Sequence, residues 1–428
     1  MKKAVVVGSG AGGATVAKEL QGSFEVTVLE EGRPFRPFTV ELRNMEIMKK
    51  SALMVDARLV RLLFPAMRVR KSSGDVMMVN GVGTGGTTTI CTANAIRKDE
   101  ALRALGINLD QEFKELFEEV PISSDHQRHW HAHTQQAFEL CSQMGLQPVP
   151  TQKMAYRSRC AGCGRCVFGC QRGAKWDSRV FLDKAVEGGA KIVSGCSVKK
   201  VVIHDGSAIG VEIAGGLGSG FYPADLIVLA AGGFGTPAIL RNSGIECQPR
   251  LFVDPVLCVA AKWEGSLQDR EIPMPFIVQK EHFILSPYFD FLSYFFNRNW
   301  KYRAKDIYSL MIKLADSNSG EVVGRKINKS LTESDLDRLR EGAELCGEIL
   351  RGLGCRDEEI FPGTLNAGHP GGMLPLTGKE SGTFHNDVLP ENVYVADSTL
   401  FPESLGNPPI LTIMAMAKRV SRKCLALA

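Results

Sequence analysis

The chain has 428 residues, 44% hydrophobic and 23% charged, a mix that supports a large folded core and excludes a disordered or coiled-coil chain. Its net charge of +4, from 51 basic and 47 acidic residues, is too even for a nucleic-acid binder. No apolar run reaches the ~18 residues of a membrane-spanning helix, and Met1-Lys2-Lys3 opens onto a buried strand rather than a signal peptide. The expected compartment is therefore the reducing cytoplasm, where 12 cysteines are not a disulfide framework and call for another account.

Residues 4–7 read as a strand of a parallel sheet. The next six, Gly8-Ser9-Gly10-Ala11-Gly12-Gly13, fit G-x-G-x-x-G, residues 14–20 predict a helix, and residues 26–29 a second strand ending at Glu30. Gly8 permits the tight turn, Gly10 lets the backbone approach a pyrophosphate, and Gly13 lets helix and strand pack closely. The helix N-terminus offers free N–H groups and partial positive charge to phosphates. Glu30, twenty residues after Gly10, is placed to bind both hydroxyls of a ribose. This order points to a dinucleotide site, and its position at the N-terminus favours FAD over NAD by analogy.

Residues 35–70 are expected to be partly helical, and residues 80–89 form a second glycine-rich loop. A helix is expected at 110–119 and another at 135–144. Between them His126, His129, His131 and His133 read as a polar loop or a metal site. A helix follows at 180–186, then strands at 191–193, 198–203, 209–213 and 226–229. Residues 251–365 have fewer glycines and more aromatics, and end in a long helical pattern at 333–353. The aromatic run at 283–300 fits core packing, a greasy substrate pocket or membrane-surface contact. A strand at 393–397 and a helix at 413–427 close the chain. Nucleotide signals at both ends predict a discontinuous nucleotide domain of residues 1–100, 171–250 and 366–428. A helical insertion at 101–159, a cysteine loop at 160–170 and a substrate domain at 251–365 interrupt it.

That loop, Cys160-x₂-Cys163-x₂-Cys166-x₃-Cys170, has the spacing of a bacterial ferredoxin run. Four close thiolates among Gly162, Gly164 and Gly169 can wrap a [4Fe–4S] cubane, although Gln171 stands where ferredoxins carry proline. Either Cys170 or a remote cysteine such as Cys196 completes the set. Structural zinc, disulfides and free thiols are the other readings.

Three stretches together resemble the glucose–methanol–choline (GMC) oxidoreductases: the N-terminal turn, the run from Ala231 to Ile245, and the run from Asn392 to Ile413. Gly85-Gly86-Thr87-Thr88 resembles the family's first signature with threonines for serines, and the cysteine loop with Gly173-Ala174-Lys175 is similar to the long-chain alcohol oxidase branch. The resemblance implies an α/β fold: a Rossmann-like FAD-binding domain of GMC type with a smaller α+β substrate domain. It implies FAD-dependent oxidation of an alcohol CH–OH group by hydride transfer to flavin N5. By position, Gly8, Gly10, Gly13 and Glu30 would hold the ADP half. Thr84 to Thr88, with Gly85, Gly86 and Thr87, would run along pyrophosphate and ring. Val198 would cover the adenine, and Asp397 would contact the pyrophosphate or ribityl chain. Cys91 stands where the family has asparagine beside the flavin.

A base must take the hydroxyl proton, and a histidine suits this. His369 in Gly368-His369-Pro370-Gly371-Gly372 matches the family's catalytic histidine, whereas His385 lies in a polar turn. A one-residue insertion leaves Asn407 or Pro408 in the family's second catalytic slot, with Asn407 the candidate. The expected partners are a small alcohol, apolar by analogy, an electron-carrier protein, and further copies of the chain in an oligomer. An O₂-reducing oxidase with a structural zinc or thiol loop is the alternative, and a flavin–thiol redox protein without alcohol turnover is the alternative of another class.

Overall fold

In the computed structural model, which describes residues 1–40, 42–50, 60–215, 218–324 and 326–428, the apolar runs at 4–7, 26–29 and 226–229 lie side by side. They belong to a five-stranded sheet in the order Val393–Val395, Leu226–Leu229, Lys2–Val7, Phe24–Glu30 and Lys191–Ser194, every neighbouring pair parallel. Strands covered on both faces need no polar alternation, so Ala4 to Val7 and Leu226 to Leu229 are buried throughout. The helix Ala11–Glu19 packs against the sheet, with the helices Arg179–Glu187 and Ile410–Leu425 beside it. The last helix is strapped to the helix Asp110–Glu119 by charge: Arg419 and Arg422 both reach Glu112, and Lys418 lies 2.8 Å from Glu119.

A three-stranded antiparallel sheet, Cys196–His204, Ser207–Gly215 and Gly218–Pro223, follows the first. A larger mixed sheet runs in the order Met67–Lys71, Met77–Gly81, Asn366–Ala367, Pro255–Lys262, Ile307–Leu314, Phe283–Pro287, Phe276–Gln279 and Val149–Pro150, with Ile360–Pro362 also on Pro255–Lys262. The helix Glu333–Gly352 lies across it, started by a capping box between Thr332 and Asp335. Gly342 permits that approach, since a Cβ there would sit 2.8 Å from Ile312. The aromatic run is core: Phe283, Phe289, Phe291, Tyr294, Phe295 and Trp300 are all buried.

Element boundaries shift by a few residues from the sequence expectation. The last helix begins at Ile410 rather than 413, and the strand expected at 198 begins at Cys196. The partly helical segment holds Leu42–Lys50 and Val60–Leu63, while residues 51–59 lie outside the described residues. Among the described residues, no helix is long and apolar enough to cross a membrane.

Candidate functional site: two adjoining cavities

The first cavity, of ≈ 1190 Å³, opens at the end of the parallel sheet where the Gly8 turn, the Gly81–Thr88 loop and the Gly368-His369-Pro370 loop meet. Its glycines divide the work as expected. Gly8 has φ +97°, and a Cβ there would lie 2.3 Å from the Ala230 carbonyl oxygen. A Cβ on Gly13 would lie 2.0 Å from the Gly8 oxygen, whereas one on Gly10 would meet nothing within 4 Å. Gly10 therefore presents bare backbone to open space at a helix N-terminus, the geometry that receives a phosphate.

Glu30 is buried on this wall, and its carboxylate accepts from four donors: the Ser9 N–H (3.1 Å), the Ser9 hydroxyl (2.6 Å), the Gly32 N–H (2.8 Å) and the Gly83 N–H (3.1 Å). Burial raises its pKa, and these donors oppose the rise. Glu30 thus ties the nucleotide turn to the second glycine loop, a task the sequence did not reveal. Ser9 shares it by accepting from the Gly85 N–H at 3.1 Å. Ser178, also missed, sits 3.2 Å and 3.1 Å from the carbonyl oxygens of Ser9 and Gly85. Gly86, Thr87, Thr88, Val198 and Asp397 line the same cavity, and Gly85 turns behind it. Asp397 accepts from the N–H groups of Gly232 and Thr399, both at 2.8 Å, and from the Thr236 hydroxyl at 2.5 Å, so it shapes the wall as well as facing it.

His369 lines the cavity with 24% of its side chain open. Its Nδ1 is buried, has no hydrogen-bond partner among the described residues, and lies 4.0 Å from Asp254 Oδ2. Asp254 forms a fully buried ion pair with Lys313, and a second buried pair, Lys329–Asp316 at 2.7 Å, lies behind it. Burial, helped by the Lys313 charge, holds the His369 imidazole well below its ordinary pKa and hence neutral. His385 is engaged elsewhere, 3.0 Å from the Pro390 carbonyl oxygen. Asn407 is not brought to the cavity. It is 1% exposed, its amide nitrogen faces Gln279 Oε1 (3.3 Å) and the Leu405 oxygen (3.4 Å), and Pro409 and Ile410 take the wall instead.

The second cavity, of ≈ 170 Å³, is ringed by Cys160, Cys163, Cys166 and Cys170 together with Lys153 and Lys175. Cys196 is absent from this ring and lines the first cavity, which removes it as a remote ligand. Among the described residues, no three His, Cys, Asp or Glu side chains converge to hold a metal ion, and that covers both the histidine stretch and the expected ligands Cys160, Cys163, Cys166 and Cys170. His126 there is a satisfied core residue, with Nε2 2.7 Å from the Thr151 oxygen and Nδ1 accepting from Trp130 at 3.0 Å.

Both lysines are buried, and both point at neutral acceptors. Lys153 donates to the Pro273 carbonyl (2.7 Å) and to Asn94, and Lys175 to the carbonyls of Thr88 (2.9 Å), Thr89 (2.6 Å) and Cys91 (3.1 Å). Among the described residues neither pairs with a carboxylate, and burial brings Lys153 down to about 7. Burial pushes the Cys166 thiol up to about 12, against the pull of the two lysines. Cys91 sits between the cavities, its thiol donating to the Thr88 oxygen at 3.1 Å, and lines neither. The Thr88–Cys91 segment is therefore a partition, with one cavity on each side and Lys175 pinning it.

Residues 3–256 match the sequence model of the GMC oxidoreductases. An uncharacterised protein of Methanocaldococcus jannaschii is 28% identical over 98% of this chain and 99% of its own length. A long-chain-alcohol oxidase of Arabidopsis thaliana is 28% identical over 57% of this chain and 34% of that oxidase. Among solved structures, pyridoxine 4-oxidase from Mesorbium loti superposes with a TM-score of 0.74 at 16% identity, covering 99% of both chains. Formate oxidase gives 0.72 at 14% identity, covering 100% of this chain and 98% of that one. The nucleotide turn and the glycine–threonine loop lie within the matched residues, and the chain belongs to the GMC oxidoreductase family.

Proposed function

We propose that this chain is an FAD-dependent alcohol dehydrogenase of a reducing, cytoplasmic compartment that carries a [4Fe–4S] cluster beside its flavin. The observation that carries the reading is the shared partition: Lys175, on the cysteine cavity, holds the carbonyls of the segment that walls the nucleotide cavity. In this reading residues 1–100, 171–250 and 366–428 form the FAD-binding domain and residues 251–365 the substrate domain.

The chemistry of the donors present supports this reading of both groups. Gly10 offers open backbone, Glu30 lies at ribose distance from the turn by sequence, and Val198, Thr87 and Asp397 share the wall. At the cysteine cavity, two buried ammonium groups without carboxylates are costly alone and favourable beside an anion, which four thiolates around iron and sulfide would be. FAD, when bound, supplies the hydride acceptor, and the cluster supplies one-electron storage. The chain's own residues do the rest. With Nδ1 buried and His369 lining the cavity, Nε2 is the nitrogen this reading assigns to take the hydroxyl proton, and the neutral ring leaves it able to do so. Phe234, Ile410 and Ile413 give the wall an apolar part, consistent with an apolar alcohol.

The test is anaerobic flavin reduction by primary alcohols from ethanol to dodecanol. His369→Ala is expected to slow it ~10²–10⁴-fold with flavin content unchanged. An unchanged rate would remove His369 as the base. Rapid re-oxidation by O₂ in iron-free protein would replace the dehydrogenase with an oxidase.

A further inference from the structure

We infer that the cysteine loop presents a basic docking surface for an acidic one-electron carrier protein, an inference that rests on the proposed cluster. Residues 157–176 contain Arg157, Arg159, Arg165, Arg172 and Lys175 and neither Asp nor Glu. Cys163 is the exposed member of the four cysteines, so the loop brings one edge of the cavity to the surface. Arg159 and Arg172 are exposed beside it. Arg159 lies over the Tyr156 ring at 5.1 Å, which holds the guanidinium in place without neutralising it.

A further cation arrives from a distant part of the chain. A Cβ on Gly164 would sit 2.1 Å from the Asp269 oxygen and 3.1 Å from the Arg270 Cα, so the loop packs directly on Arg270. The Arg270 side chain is 69% exposed, and the acid beside it, Asp269 at 3.6 Å, is itself buried. Asp125, exposed on the adjoining turn, is offset by exposed Arg128 three residues on. A predominantly basic surface around an exposed redox edge suits a brief encounter: it raises the association rate and orients the partner, while a small interface keeps release fast. The carrier accepts one electron per encounter, so two encounters clear the two electrons withdrawn from one CH–OH group, and the two protons released with them exchange with solvent. A basic carrier would be repelled by the same field.

The experiment measures binding, and so does not depend on turnover. Anaerobically purified protein is titrated with an acidic flavodoxin and, separately, with basic cytochrome c. The flavodoxin is expected to bind, and to weaken roughly ten-fold or more as salt rises from about 0.05 to 0.3 M. R159Q/R172Q/R270Q is expected to weaken it about ten-fold and to flatten the salt dependence, whereas K114Q/K191Q/K379Q, with the same charge change on other elements, changes it less than about two-fold. Equal affinity of the arginine triple variant, preference for cytochrome c, or no flavodoxin binding at low salt would each overturn the proposal. Iron measured on the same samples separates the two readings. Arginine-dependent binding without iron keeps the docking surface and removes the cluster, and full iron without such binding does the reverse.

Discussion

The two cavities are built from different materials. The nucleotide cavity is mostly backbone: three glycines shape its turn, and its two buried carboxylates, Glu30 and Asp397, are satisfied by donors of the chain itself. The cysteine cavity is made of side chains, and its two buried lysines are opposed by carbonyl and amide oxygens instead of carboxylates. The first is complete without its ligand, whereas the second carries uncompensated charge that an anionic occupant would balance. The difference predicts that damage to the first disrupts folding, while damage to the second shows mainly in what is bound and in pH dependence.

Gly8→Val probes the comparison most severely. With φ +97° and the Ala230 oxygen 2.3 Å from a Cβ, the strain and clash are expected to exceed about 4 kcal/mol. No flavin-containing protein should be recovered, whereas Cys163→Ser should keep full flavin and lose iron; stable, flavin-loaded Gly8→Val would break the contrast.

Lys153 tests the uncompensated charge through pH. Without iron, burial holds its pKa near 7 in the folded protein, against 10.5 when unfolded. The unfolded chain therefore binds the extra proton between those values, and stability rises with pH across that window, by up to roughly 5 kcal/mol. Lys153→Met should abolish the slope in denaturant titrations of iron-free protein, and iron should flatten it in the parent. A slope that survives the substitution would assign it to another group.

His126 gives a smaller acid limb. Burial lowers it to about 4 from 6.5, so the unfolded chain takes the proton first and stability falls as pH drops from 6.5 to about 4, by roughly 3 kcal/mol. His126→Gln should flatten that limb in thermal melts. The smallest effect expected is that of Glu30→Gln, which keeps the shape but halves the accepting oxygens, for roughly 1–2 kcal/mol and weaker flavin retention on dilution.

The nucleotide turn is legible in the sequence because its information is local. Strand, glycines, helix and acid follow within thirty residues, and Gly8 and Gly13 each answer a nearby steric demand while Gly10 leaves backbone open. The cysteine run is local in the same way, and the fold gathers its four members around one cavity. What sequence does not show is what distant segments bring together. Nothing local marks Lys153, and Lys175 stands out only through the family resemblance, until the fold buries both, and Lys313 meets Asp254 from 59 residues away. Ser9 and Ser178 are separated by 169 positions, and no local pattern marks either as a latch. Asn407 shows the opposite failure: its neighbourhood matches the family, yet the extra proline turns Pro409 and Ile410 to the cavity and the amide toward Gln279. Cys196 looked available as a ligand by composition alone, and its strand carries it to the other cavity.

The central claim is that one chain sets a flavin cavity and a cluster cavity on either side of the Thr88–Cys91 partition. Protein purified without oxygen and assayed for flavin, iron, acid-labile sulfide and zinc tests it most directly. The account predicts about four iron and about four sulfide per flavin and no stoichiometric zinc. Full flavin with a single zinc, or with neither iron nor sulfide, would contradict it.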